Sequence, residues 1–417
     1  MNPLLSLEQA ILVQGREWTR QRLEGQAQNQ INDWGNRCPQ SGELLKNRKR
    51  QRLQVMTCAG LIVLKAWRGF SPALGRWVNP ARHRWGLASR QRVSPELQSR
   101  LGFTAAATGS YEKAAQTATR WGTALSDDTV HAVVQQLGAR AEGLTLPPTP
   151  LLASEPEFSL VIMMDGWLAR LRGPDWGAGA RKKAAERINW KEIKCAVIYR
   201  LEQRVQKASG RGLLLQKYVV ACPPDTEPVD FGAAVQAQAR RRGLGRARKV
   251  YVVIDGAVWL WHVAQDRFSQ AICLLDFHHA SEHLWAIAHL MHGQGTPAGR
   301  AWVEPLLHQL KHGKEAKVVR TLEALLQPEA GLAPETQAAL GTPVEYFQTH
   351  REHLHYQAVQ KQGGPIGSGP AESFNSQLQD RFKRTGQFWT QTGESALMTL
   401  EIIRRNEEWD AYWDEKW

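Results

Sequence analysis

The sequence predicts an α/β protein built on a mixed sheet, and three apolar runs carry that prediction. Val250-Tyr251-Val252-Val253-Ile254 is short, uninterrupted and rich in β-branched and aromatic residues, which suits a strand covered on both faces. It ends on Asp255-Gly256. Phe158 to Met164 repeats the pattern and ends on Asp165-Gly166, and Ala271 to Leu275 ends on Asp276, with His278, His279, Glu282 and His283 close behind. Open α/β sheets hold their sites at the carboxyl ends of strands, so carboxylates delivered there mark a candidate site.

Composition narrows the class. The chain has 417 residues, enough for two to three domains, and 42% are hydrophobic. No apolar stretch approaches the ~18 residues of a membrane span, and the first residues show no basic region followed by an apolar one. The reading is a cytoplasmic protein with no membrane partner. Cys38, Cys58, Cys195, Cys222 and Cys273 are scattered without a CxxC pair, against both a disulfide framework and a zinc ribbon.

Charge is concentrated. The net charge is +13, and Leu44 to Pro95 holds twelve basic residues and no Asp or Glu. They include Arg48, Lys49, Arg50, Arg52, Arg68, Arg82 and Arg84. A one-sign block of this length repels itself without a polyanionic partner. Nucleic acid is the natural one, through phosphate neutralisation and counterion release. An anionic membrane competes, but the cations do not lie opposite one apolar helical stripe.

In chain order, residues 1–45 read as a helical lead-in packed by Trp18 and Trp34. Residues 46–143 form a basic region. Within it Arg52 to Arg68 has hairpin character, with Ala59-Gly60 at the turn. Ser94-Pro95, Ser110 and Ser126-Asp127-Asp128 are helix starts. The last two helices, about Tyr111–Trp121 and Asp127–Leu137, have helix-turn-helix spacing, although two ordinary packed helices account for it equally well. Proline-rich residues 144–156 form a linker. After the Asp165 strand comes a basic loop with Arg181, Lys182 and Lys183. Strands near Lys194–Leu201 and Gly212–Ala221 and a helix near Phe231–Arg242 precede the Asp255 strand.

The pattern after Asp276 is helical through about Leu326, and after a Pro/Gly-containing break further helices run on to Gln360. Gly367-Ser368-Gly369-Pro370 is then a turn and helix start, with Glu372 in the first turn. A first-turn glutamate often only complements the helix dipole. The set of Asp165, Asp255 and Glu372 gives it more weight.

The blocks MMDGW, VIDGAVWLW, LLDFHHASEHL and GGPIGSGPAESFNSQLQDRFKRTGQFW resemble the ISKra-type insertion-sequence DDE transposases, related to the Mutator and hAT-like groups. The resemblance runs from Phe158 to the C-terminus. It implies an RNase H-like core (157–280 and 363–417) interrupted by a helical insertion (281–362) before the last catalytic helix, beside an N-terminal α+β DNA-binding region. It implies Asp165, Asp255 and Glu372 as the catalytic and metal-binding triad. Asp276 and His279, with Gly367, Ser368 and Gly369, would support those carboxylates, and Arg381, Lys383 and Trp389 would join the basic block in contacting DNA. The paired N-terminal cysteines common in such proteins are missing, since Cys38 and Cys58 stand alone.

The expected activity is cutting at element ends and strand joining, by a homo-oligomer on double-stranded DNA carrying terminal inverted repeats and on target DNA. Two Mg²⁺ or Mn²⁺ ions about 3.5–4 Å apart suit that chemistry, and hard cations prefer carboxylate oxygens. Trp285 and Trp302 are candidates for stacking on an unpaired base, though core packing explains either better. Two rivals stand beside this reading. His279-Ala280-Ser281-Glu282-His283 matches the H-x-x-E-H motif of some zinc proteases. A transposase-derived DNA-binding protein without catalysis is the other.

Overall fold

The computed structural model describes residues 2–88, 91–142, 157–177, 187–209 and 212–416. The expected linker at 144–156, the basic loop at Arg181 to Lys183, and Arg90 lie outside the described residues. The chain divides into two compact units, Met1–Leu144 with Ala396–Trp417, and Thr145–Ser395.

In the first unit, helix α1 (Pro3–Trp34) begins at Asn2, whose side chain accepts from the amides of Leu4 and Leu5. Only Ala27 and Ile31 of α1 are buried. The expectation that Trp18 packs fails: it is 66% exposed, whereas the buried residues of the helix are Ala27 and Ile31 farther along it. Trp34 does pack, edge-on to Trp85 at 5.6 Å. Strands β1 (Lys46–Thr57) and β2 (Gly60–Ser71) form the hairpin, paired from Thr57↔Gly60 to Lys46↔Phe70, with β3 (Arg76–Val78) against the end of β2. The turn falls where Ala59-Gly60 predicted, with Gly60 at φ 114°, but β1 starts six residues early.

The early half of β2 has an open edge. Glu24 Oε2 accepts from Val63 N at 2.9 Å, and Gln28 exchanges hydrogen bonds with the backbone of Lys65. Side chains of α1 thus occupy backbone groups that an edge strand leaves unpaired. A short α2 (Pro80–Arg84) leads to α3 (Pro95–Thr108), α4 (Tyr111–Arg120) and α5 (Asp127–Ala141), which pack together through Leu97, Leu101, Ala114, Ala118, Val130, Val134 and Leu137. Their N-caps are the three predicted serines, Ser94, Ser110 and Ser126.

The second unit holds the sheet. Its strands are β4 (Ser159–Arg172), β5 (Ile188–Arg200), β8 (Tyr218–Ala221), β9 (Lys249–Ile254) and β10 (Ile272–Leu275), with β6 (Arg204–Gln206) and β7 (Gly212–Leu214) forming a separate ladder. The order is β10-β9-β4-β5-β8. β4 runs antiparallel to β5 and β5 to β8, while β9 is parallel to β4 and β10 to β9. This is the RNase H-like mixed sheet. The central strands are apolar on both faces, with Leu160 to Met163 and Tyr251 to Ile254 fully buried.

Two expectations are corrected. The strand expected over Gly212–Ala221 splits, because Gly212–Leu214 pairs with β6 and only Tyr218–Ala221 joins the sheet. The first strand does not end on Asp165-Gly166. β4 continues to Arg172 because the long β5 pairs with it throughout, from Leu160↔Arg200 to Arg172↔Ile188. What ends there is the parallel ladder to β9, whose last pair is Met164↔Ile254.

Helices α6 (Pro228–Arg241) and α7 (Val258–Arg267) flank β9. The insertion after β10 comprises α8 (Phe277–His292), α9 (Pro297–Lys311), α10 (Glu315–Ala324), α11 (Pro334–Thr349) and α12 (Tyr356–Lys361). Then come α13 (Gly369–Phe382), packed on β4 and β5, α14 (Gln391–Arg405) and α15 (Trp409–Lys416). The last helix belongs to the first unit, where Tyr412 Oη donates to Leu137 O at 2.9 Å.

Candidate active site

The site grows from the end of the β4–β9 ladder. Because Met164 pairs with Ile254 as the last step of that ladder, Asp165, still within β4, and Asp255, just past β9, lie side by side on neighbouring strands. Asp255 is the first residue after β9, and its Oδ1 accepts from Ala257 N at 2.8 Å, fixing the turn into α7. Gly256 permits a close approach here: a Cβ would lie 2.1 Å from the ring of Tyr346, which comes from the insertion.

Helix α13 supplies the third carboxylate. Ser368 and Gly369 open it, and Ser368 Oγ donates to Glu372 Oε1 at 3.0 Å. One turn on, Asn375 Nδ2 donates to Asp165 Oδ2 at 2.7 Å, binding the helix to the strand. Asp165 and Glu372 line one cleft of about 650 Å³, together with His279, Asn375 and Asp380. Burial raises the Asp165 carboxyl above its ordinary value and the charge of Asp255 adds to this, while the Gly166 amide, the Asn375 amide and His279 oppose it.

The supporting residues meet through backbone groups. Asp276, fully buried, caps α8 by accepting from His278 N at 2.5 Å and His279 N at 3.0 Å. Its other oxygen accepts from Ser368 N. Phe277 N donates to Ile366 O at 2.9 Å, adding a second tie to the same loop. The loop passes so near that a Cβ on Gly367 would stand 3.1 Å from the His278 ring. The contact between Asp276 and His279 is thus to the amide of His279. Its imidazole faces Glu282 at 3.6 Å, and His283 stacks on Tyr346 at 3.7 Å. These contacts give the H-x-x-E-H residues partners other than a shared metal. Trp285 and Trp302 are half-buried against His289 and His292 and do not line the cleft.

The residues expected to contact DNA divide. Arg48, Lys49, Arg50, Arg52, Arg68 and Arg84 are exposed. Several are held over aromatic rings, Arg50 on Trp67 at 5.0 Å, Arg68 on Trp77 at 5.4 Å and Arg84 on Trp34 at 5.3 Å. Arg82 is half-buried, donating to Ala88 O and Gln91 O. With Arg52, Arg68, Arg76 and Arg92 it lines a cleft of about 610 Å³ that, among the described residues, no acidic side chain lines. In the second unit Arg381 and Lys383 are half-buried, Lys383 lying 5.1 Å over Trp190. Trp389 is packed within the fold: 8% exposed, it donates its indole N–H to Phe382 O at 2.8 Å and bridges to Leu171.

Sequence reasoning missed Asn375, Gln379 and Asp380. The signal was there, since Glu372, Asn375, Ser376, Gln379 and Asp380 follow the three-and-four spacing of one helix face.

A divalent cation is implied by three carboxylates from three elements. Among the described residues, no group of three or more His, Cys, Asp or Glu is gathered so as to hold a metal ion. The donor chemistry does fit a hard cation, being carboxylate oxygen. The buried Asn375 Oδ1 beside Asp165 has no hydrogen-bond partner, leaving an oxygen for an ion or its water.

Comparison with solved structures finds similarity to a Drosophila P element transposase strand transfer complex, at 10% identity and TM-score 0.36, covering 79% of this chain and 95% of that one. A second likeness is to NurA with manganese, at 15% identity and TM-score 0.12, covering 70% and 66%. No protein-family model matches the chain, and no curated protein matches it. At scores this low the functional reading rests on the chain's own residues.

Proposed function

We propose that the chain is a DDE transposase of the ISKra kind, which binds element ends, cleaves phosphodiester bonds and joins DNA strands. One observation carries the reading: Asp165 and Asp255 emerge on neighbouring strands of an RNase H-like sheet, and the helix bearing Glu372 is bonded to Asp165 through Asn375. Asp165, Asp255 and Glu372 would hold two Mg²⁺ or Mn²⁺ ions, which when bound stabilise the attacking and leaving oxygens of an in-line displacement at phosphorus. Asn375 and the Gly166 amide orient Asp165. Ser368 orients Glu372. The cations of the β1–β2 hairpin supply sequence-independent attraction to the phosphate backbone.

The test is cleavage of a linear DNA fragment carrying the repeats that flank the gene, with Mg²⁺, Mn²⁺ or EDTA. Nicks or breaks at the repeat boundary that need metal are expected. A DNA-binding protein without catalysis is the second reading, favoured by the engagement of Glu372 with Ser368 rather than with the two aspartates. Retarded DNA that is never cut in either metal would decide for it.

A further inference from the structure

Helix α13 separates two clefts. Glu372, Asn375, Ser376, Gln379 and Asp380 face the carboxylate cleft. On the other side Gly369, Pro370, Ser373 and Gln377 face a cleft of about 730 Å³, within the roughly 300–1,000 Å³ span of ligand sites. The clefts adjoin, sharing His278 and Gly369. Their charges are opposite. Arg204, Lys207 and Lys217, from the β6–β7 ladder and the segments beside it, line the second cleft, and among the described residues none that lines it is acidic.

A carboxylate site repels the phosphates of its own substrate unless cations lie close by. Along one strand, phosphates follow each other at about 3.4 Å of rise, so a strand with one phosphate at the carboxylates must seat its next phosphates beyond the helix. We propose that the cleft of Arg204, Lys207 and Lys217 is the subsite for the strand phosphates adjacent to the bond being cut. This deepens the function proposed above and rests on it. Arg204 and Lys207 hold the backbone by charge, and Ser373, whose hydroxyl oxygen accepts from Gln377 Nε2 at 3.2 Å, keeps its own O–H to donate to a phosphate oxygen. No sequence pattern marked these cations, because they fall on short strands and turns far from the basic block.

The test measures binding of a fluorescent single-stranded oligonucleotide to the full chain in EDTA across a salt series. Arg204→Gln with Lys207→Gln is expected to weaken binding about tenfold and flatten the log–log salt slope by about 0.7 for each single-strand phosphate that is no longer neutralised. The charge-conserving pair Arg204→Lys with Lys207→Arg is expected to retain both. Unchanged affinity and slope in the first pair would overturn the proposal, as would an equal loss in both pairs, which marks shape rather than charge. If inorganic phosphate raises the melting temperature of the wild type only, and both proteins bind the oligonucleotide alike, the cleft takes free phosphate and the proposal falls. A flattened slope in a protein that never cuts DNA sustains the subsite and removes the transposase activity.

Discussion

One carboxylate oxygen of Asp276 accepts the amide N–H of Ser368, ninety-two positions away in the chain. Ser368 in turn donates its hydroxyl to Glu372. The end of β10 therefore sets where α13 begins, and with it where the third candidate carboxylate stands. Asp276→Ala leaves three backbone amides without their acceptor and is expected to cost on the order of 3 kcal/mol in stability. Denaturant unfolding measures that. A loss under about 0.5 kcal/mol would mean these amides find water as readily.

Asp255→Asn keeps the size of the side chain and an oxygen for the Ala257 amide. It is expected to abolish metal-dependent cleavage and leave DNA affinity within about twofold, because the phosphate contacts lie in other residues. Single-turnover cleavage and gel retardation, run on one preparation, give both readings. Residual cleavage at the wild-type rate would falsify the role of Asp255.

The exposed cations Arg48, Lys49 and Arg50 lie on β1. Replacing all three with Gln is expected to flatten the salt dependence of duplex binding by about 0.9 log unit per phosphate released. An affinity and slope that match the wild type would move the footprint off the hairpin.

Gly256 is expected to refuse a side chain. A Cβ there meets the Tyr346 ring at 2.1 Å, so Gly256→Ala should cost about 1–3 kcal/mol by overpacking. Tyr346→Ala should recover part of the loss in the double variant, a coupling that a double-mutant cycle reads directly. Strict additivity of the two changes would show that the ring and the turn do not press on each other.

Glu394 is fully buried on α14, and neither carboxyl oxygen has a hydrogen-bond partner. Burial pushes its carboxyl up to about 8. The folded state thus binds the proton more tightly than the unfolded chain. Stability from this group is complete below the ordinary glutamate range and falls as pH rises toward 8, by about 1.4 kcal/mol per pH unit. Glu394→Gln should remove that slope and raise the melting temperature at pH 8. Parallel pH profiles for the two proteins would count against it.

Much of the fold was written locally. The turn at Ala59-Gly60, the three serine caps and the apolar runs of β4 and β9 depend on neighbours in sequence, so pattern and propensity reveal them. The acidic residues at the ends of those runs were legible for the same reason. Their number and spacing say nothing of distance, and Glu372 stood out first as one of a set with Asp165 and Asp255 and then through the resemblance of the block from Gly363 to Trp389.

Tertiary structure decided what pairing decides. Asp165 lies within a strand because β5 gives β4 a partner beyond it, whereas β9 stops at Ile254 and frees Asp255. Leu213 and Leu214 read as the start of a strand running to Ala221, yet they pair with β6, outside the sheet. Trp389, expected to contact DNA, fills a space beside Phe382 and Leu171. Asn375, Asp276 and Ser368 acquire their parts from bonds that span up to 210 positions. A sequence records the donors and acceptors of such bonds, but which ones meet depends on how the sheet and helices pack, and no local period carries that.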